Sequence, residues 1–163
     1  MNRTGFYGSS LFFGLLLQLI VGRYLTFFGV GPDFLFIYVV AVSFSMGPLT
    51  GEALGFLLGL MTDVLGARLF GMQSFLFTLA GYTAGVLRRR VDSERPGSQC
   101  LIAFVATLLY GLVSALLKGI LAQAGPRTPL LGLLIEAVAN ALFAPFIFWG
   151  TLWWTHVWQL HHE

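Results

Sequence analysis

Residues 47–90, GPLTGEALGFLLGLMTDVLGARLFGMQSFLFTLAGYTAGVLRRR, decide how the chain folds. Glycines stand at Gly47, Gly51, Gly55 and Gly59, and the next step of four reaches Asp63. Residues four apart stack along one face of a helix, so the stretch predicts a face without side chains that ends in a carboxylate. Small residues at this spacing let membrane helices approach closely. A carboxylate within a membrane segment is costly and turns toward protein or water. Each step of four overshoots a turn by about 40°, so the ladder winds around its helix and favours a right-handed crossing. Gly81 and Gly85 form a second such pair in the next apolar segment, and the simplest packing sets the two glycine faces together. The stretch closes on Arg88, Arg89 and Arg90, the densest positive cluster in the chain.

Composition gives the solvent. The chain has 163 residues, 57% hydrophobic and 10% charged, with a mean hydropathy of +0.83. A soluble domain carries roughly 25% charged residues. Too little polar surface remains to cover a globule in water, so an integral membrane protein is expected, with residues 1–163 as one domain. The net charge of +2 gives no reason to invoke nucleic acid. Cys100 is the only cysteine, which excludes an internal disulfide and argues against a zinc cluster. His161 and His162, next to Glu163 at the end of the chain, read as a native tail or part of a truncated tag and receive no metal role. No metal and no cofactor is expected.

Outward from residues 47–90, the pattern predicts six spans. The first covers 6–28. Arg3 before an apolar run resembles a signal peptide, but no small-x-small cleavage site follows and Arg23 interrupts, so a retained helix is expected. Ser10, Gly14, Gln18 and Gly22 form a small polar seam on it, for a helix contact with Gln18 bonded inside the bundle or for lining a ligand cavity. Asp33 follows Pro32 and opens the second span, 34–44, where it suits helix capping or a polar contact to a partner or ligand. This span is short against the usual ~20 residues, so it is tilted, thins the bilayer or is shielded by neighbours.

The third span starts near Pro48 and ends around 63–66; the fourth covers 72–87. Between them Arg68 is a possible partner for Asp63. Residues 88–99, RRRVDSERPGSQ, hold four arginines against Asp92 and Glu94, which makes this loop cytoplasmic by the positive-inside rule. It serves topology and lipid headgroup contact, or docks a cytoplasmic protein. The fifth span covers 100–123. The sixth runs from 130 to 154 or beyond, with Glu136 and Asn140 four apart on one face and four tryptophans gathered at its end. Six spans put both termini in the cytoplasm. Arg3 agrees, whereas Arg23, Lys118 and Arg127 fall toward the other side.

The polar groups expected inside are Asp33, Asp63, Glu136, Asn140 and Gln18. Glu136 with Asn140 is the deepest polar site, and Asp63 comes second. An intramembrane aspartyl peptidase needs an Asn-x-Ala-Asp context. The only asparagines are Asn2 and Asn140, and Asn140 is followed by Ala141-Leu142-Phe143. No HExxH occurs, and no histidine precedes His156 to serve a rhomboid-type site. No enzyme is expected.

In their order, several short runs resemble a known family. They are Pro32-Asp33-Phe34, Gly47-Pro48-Leu49-Thr50-Gly51, Gly55-Phe56-Leu57-Leu58-Gly59, Asp63, Gly66, Leu69-Phe70-Gly71, Gly81-Tyr82 with Gly85 and the arginines, and Asn140-Ala141-Leu142-Phe143-Ala144-Pro145. Together they resemble the bacterial rod shape-determining protein MreD family over most of the chain. Leu69-Phe70-Gly71, with Arg68 before it, departs from a Pro-Leu-Gly type ending. The resemblance implies a non-enzymatic scaffold of the inner membrane that works in cell elongation and peptidoglycan synthesis. It implies a single-span MreC partner and proximity to MreB, a SEDS-type glycosyltransferase, a class B penicillin-binding protein and membrane lipids. It also implies a fold similar to the substrate-binding subunits of energy-coupling-factor transporters. Partner capture and helix packing are expected to use Gly47, Gly51, Gly55, Gly59, Gly81, Gly85, Ser10 and Gly14. The alternative is a small-molecule-binding membrane subunit of the vitamin-transporter type, which a cavity lined by Glu136, Asn140 and tryptophan would favour.

Overall fold

A computed structural model of the chain describes residues 31–66, 70–91, 95–121 and 130–160. The regular structure among them is all helical: α1 (Phe34–Met46), α2 (Pro48–Gly66), α3 (Met72–Leu87), α4 (Pro96–Leu121) and α5 (Leu130–Leu160). They take the places of the second to sixth expected spans. The expected first span, with Ser10, Gly14 and Gln18, lies outside the described residues, as does Arg68. Among the described residues three stretches are long and apolar enough to cross a membrane: Pro48–Leu65, Pro96–Leu121 and Leu130–Trp153.

The centre of the fold is α1. Its sequence, FLFIYVVAVSFSM, has no polar stripe, and a helix apolar on all sides belongs in a core. Every residue from Phe34 to Phe44 is buried. α2, α3 and α5 pack around it and α4 touches it. At 13 residues it extends about 20 Å, short of the ~30 Å hydrocarbon thickness. The shortness is tolerable because protein, not lipid, surrounds it. Phe36, Phe77 and Tyr110 meet in one aromatic cluster, with Phe36 and Tyr110 ring centres 4.6 Å apart.

Two antiparallel hairpins flank this helix, α2 with α3 and α4 with α5, while α3 and α4 make little contact with each other. Gly47, at φ +100, ends α1 by donating its N–H to the Ser43 carbonyl at 2.9 Å, and α2 begins at the next residue. In the fifth expected span the helix starts earlier than residue 100, at Pro96. Proline suits a first helical turn, where its missing N–H costs nothing, and Gln99 already donates to the Arg95 carbonyl at 3.1 Å. α5 runs through Pro145 to Leu160.

Candidate functional site

The glycine ladder lies against backbone. A Cβ on Gly51 would stand 2.7 Å from the Gly81 carbonyl oxygen, and one on Gly59 would stand 2.6 Å from that of Gln73. Gly55 faces the Phe77 peptide, and Gly85 faces Pro48 and Gly47. The α2 and α3 backbones therefore touch along their length. Gly51 also abuts the Ser43 side chain, so three helices converge there. The Ser43 hydroxyl turns back onto the Val39 carbonyl at 2.6 Å.

Asp63 ends the ladder and closes the hairpin. α3 begins after Gly71, which is in the left-handed region at φ +89 and offers no side-chain cap. Asp63 reaches across from α2 to fill that role. Its Oδ1 accepts from the Gln73 N–H at 3.1 Å, and its Oδ2 accepts from the Ser74 N–H at 3.0 Å and the Ser74 hydroxyl at 2.8 Å. The first amides of a helix have no intrahelical acceptor and the helix N-terminus is electropositive, so a carboxylate is the matching group. Buried Asp63 is thus held by three donors.

A second polar cluster joins the elements distant in sequence. Asp33 caps α1, with Oδ1 accepting from the Phe36 N–H at 3.0 Å. The Asp33 N–H donates to Asn140 Oδ1 at 2.9 Å, and Asn140 Nδ2 donates to Thr107 Oγ1 at 3.0 Å. Thr107 passes its own hydrogen to the Ala103 carbonyl at 2.7 Å. Asn140 is fully buried, and both ends of its amide are used. Helix N-termini within a membrane must find acceptors inside the protein, and α1 finds one on α5. Glu136, one turn before Asn140, is only half-buried and shares no hydrogen bond with it. Trp149 is 71% exposed and Trp153 59%, so neither faces Asn140.

Four participants carry no sequence signal of the kind that singled out the acids. Ser74 and Gln73 complete the Asp63 cap, Thr107 receives Asn140, and Tyr110 donates its hydroxyl hydrogen to Gln73 Oε1 at 2.9 Å. An isolated hydroxyl or amide in an apolar run is the only hint of each. Arg88, expected as a topology signal, also donates from Nη1 to the Ser45 carbonyl at 3.3 Å, at the C-terminal end of α1.

These arrangements are structural in their chemistry. The carboxylate oxygens of Asp63 and Oδ1 of Asp33 accept from helix amides. Among the described residues no group of three or more His, Cys, Asp or Glu side chains could hold a metal ion. A further feature among the described residues is a cavity of about 510 Å³ between α3 and α4, floored by Val40 and Phe44 of α1, with walls almost wholly apolar.

Long apolar helices, caps supplied from inside the bundle and widespread exposed leucine, phenylalanine and tryptophan define a helical membrane protein. The chain belongs to the rod shape-determining protein MreD family, whose profile matches residues 3–159. No curated protein and no solved structure matches the chain. Family membership connects it with the determination of rod cell shape.

Proposed function

We propose that the protein is a non-enzymatic scaffold of the bacterial cell-elongation complex, capturing the transmembrane helix of an MreC-like single-span partner. The observation that carries this reading is the use of the polar interior. Asp63, Asp33, Asn140 and Thr107 bond to helix ends and to one another, so their chemistry fixes a frame. The same occupation of Asn140 supports the scaffold over a vitamin-type binding subunit. MreB, a SEDS-type glycosyltransferase and a class B penicillin-binding protein are the neighbours that the family resemblance supplies. That resemblance is also the ground for a fold similar to the substrate-binding subunits of energy-coupling-factor transporters.

The bundle has six spans in the inner membrane, the first over residues 6–28, with both termini cytoplasmic. Arg88, Arg89 and Arg90 support this orientation. Because Gly51, Gly55 and Gly59 abut the α3 backbone, close approach to a partner falls to the seam carrying Ser10 and Gly14. Affinity purification from native membranes in mild detergent tests the reading. The wild-type chain brings down the MreC-like partner, and Gly14→Leu inserts normally but loses it. Recovery of the partner at wild-type yield with Gly14→Leu removes the seam; absence of any elongation component from the wild-type sample removes the scaffold. A C-terminal reporter active only outside the cell overturns the topology.

A further inference from the structure

The cavity between α3 and α4 has a shape and a charge that the scaffold reading does not use. Its floor is Val40 and Phe44, and its walls include Ala80, Ala106, Leu87 and Val91. Small alanines on both sides leave the width. Toward one end of the cleft the Tyr110 hydroxyl donates to Gln73 Oε1 at 2.9 Å and ties α4 to the start of α3. At the other end lie Leu87 and Val91, both lining residues. The turn between them contains Arg88, Arg89 and Arg90, all exposed. Val91 folds back far enough to donate its N–H to the Leu87 carbonyl at 3.2 Å.

The length selects the occupant. On α3 the lining runs from Leu76 to Leu87, a rise of about 16 Å at 1.5 Å per residue. That is half of the ~30 Å hydrocarbon core, the depth of one leaflet. A spanning helix of a partner needs a groove as long as the whole hydrocarbon core. An acyl chain needs one leaflet of depth. The geometry points to a binding site for an anionic phospholipid, with an acyl chain between α3 and α4 and its phosphate at Arg89 and Arg90. Arg88 is left out of the headgroup site because its guanidinium already serves the Ser45 carbonyl. Basic residues at a membrane surface favour anionic lipid by about fivefold each. An apolar volume of this size lies within the range of built ligand sites.

Native mass spectrometry of the full chain in detergent tests the site. Phosphatidylglycerol and phosphatidylcholine with identical acyl chains are added in equal amounts. The wild-type protein retains one phosphatidylglycerol at least tenfold over phosphatidylcholine. Arg89→Gln with Arg90→Gln retains a lipid but brings the two headgroups to within about twofold. Ala80→Phe with Ala106→Phe fills the cleft and loses the retained lipid. Equal retention of both headgroups by the wild-type chain overturns the proposal, as does an undiminished preference in the filled variant. A photo-crosslinking residue at Leu109, used in native membranes, separates the remaining occupants. A lipid adduct supports the site, whereas a crosslink to a partner helix, a second copy or residues 1–30 overturns it.

Discussion

The two sides of α3 behave oppositely. Toward α2 it presents Gly81 and Gly85, and backbone meets backbone. Toward α4 it presents Ala80, Thr83, Ala84 and Leu87, and the helices stand apart around a cavity. Small residues occur on both sides, so smallness alone does not make a tight interface. The α2 side adds two things: complementary glycines in register on the facing helix, and Asp63 reaching over to hold the end of α3. On the α4 side the tie is a neutral hydrogen bond, Tyr110 to Gln73. A closed interface here requires both steric register and a charge-matched end.

The strongest way to break the contrast is to place the same side chain on each side. Gly55→Leu forces a Cβ into the Phe77 peptide, and neither backbone can retreat without opening the hairpin. The expected cost exceeds about 4 kcal/mol, in the exceptional range for a single substitution. The chain should still insert but elute as aggregate or lose its thermal transition in detergent. Ala80→Leu points into the cavity and should shift stability by less than about 1 kcal/mol. Equal damage from the two, read by size-exclusion profile and melting, would erase the distinction.

The next effect concerns the charge. Asp63→Ala removes the acceptor of two amides and a hydroxyl. Hydrogen bonds to a charged group contribute about 1.5–3 kcal/mol each and do not add fully, so a loss of about 3 kcal/mol is expected. Asp63→Asn keeps an acceptor oxygen without the charge and should lose roughly half of that. Hydrogen exchange at Gln73 and Ser74 amides provides the local readout, rising most in the alanine variant.

Asn140 gives a smaller effect. Asn140→Leu leaves the Asp33 N–H and the Thr107 hydroxyl without their partner. Interhelical hydrogen bonds in membranes average ~0.6 kcal/mol and reach ~1.7, so two of them predict about 1–2 kcal/mol. Thr107→Val removes only one and should cost about half as much. A Thr107→Val cost above that of Asn140→Leu, measured by the same melting experiment, would place the anchor of α1 somewhere other than Asn140.

The gradient matches what could be read from residue order. Helix α1 is announced by an unbroken apolar run, and the α2–α3 pairing by glycines four apart, because both are local periodicities. The ends of α3 also fall at the residues expected from sequence, 72 and 87. The partners of the acids are a different matter. Asp63 bonds to residues 10 and 11 positions on, in the next helix, and Asp33 meets Asn140 across 107 positions. Geometry assembled by the whole bundle creates these pairs, and spacing along the chain carries no trace of them. The early start of α4 escaped for a simpler reason: Gly97, Ser98 and Gln99 are polar enough to read as loop, while Pro96 in fact opens the helix. The α3–α4 cavity was not legible either, since Ala80 and Ala106 resemble contact residues wherever they stand.

Arg88 offers the smallest and most diagnostic change. Its Nη1 meets the Ser45 carbonyl near the C-terminus of α1, at 3.3 Å and exposed, where an arginine can satisfy a terminal carbonyl and complement the helix dipole. Such contacts contribute ~0.3–1 kcal/mol, so Arg88→Met should lower the melting temperature by about 1–3 °C. Arg89→Met, one residue on, removes the same charge from the same loop. If Arg88 acts only as one of three interchangeable topology charges, the two variants melt together. If it pins the closed side of the bundle by joining α3 to α1, Arg88→Met melts lower, and Arg88→Lys recovers part of the difference because its ammonium can still reach a carbonyl. Added salt discriminates further: the Arg88 effect persists, since part of it is a hydrogen bond to backbone, while an effect of net loop charge is screened over a Debye length of ~10 Å at 0.1 M and shrinks.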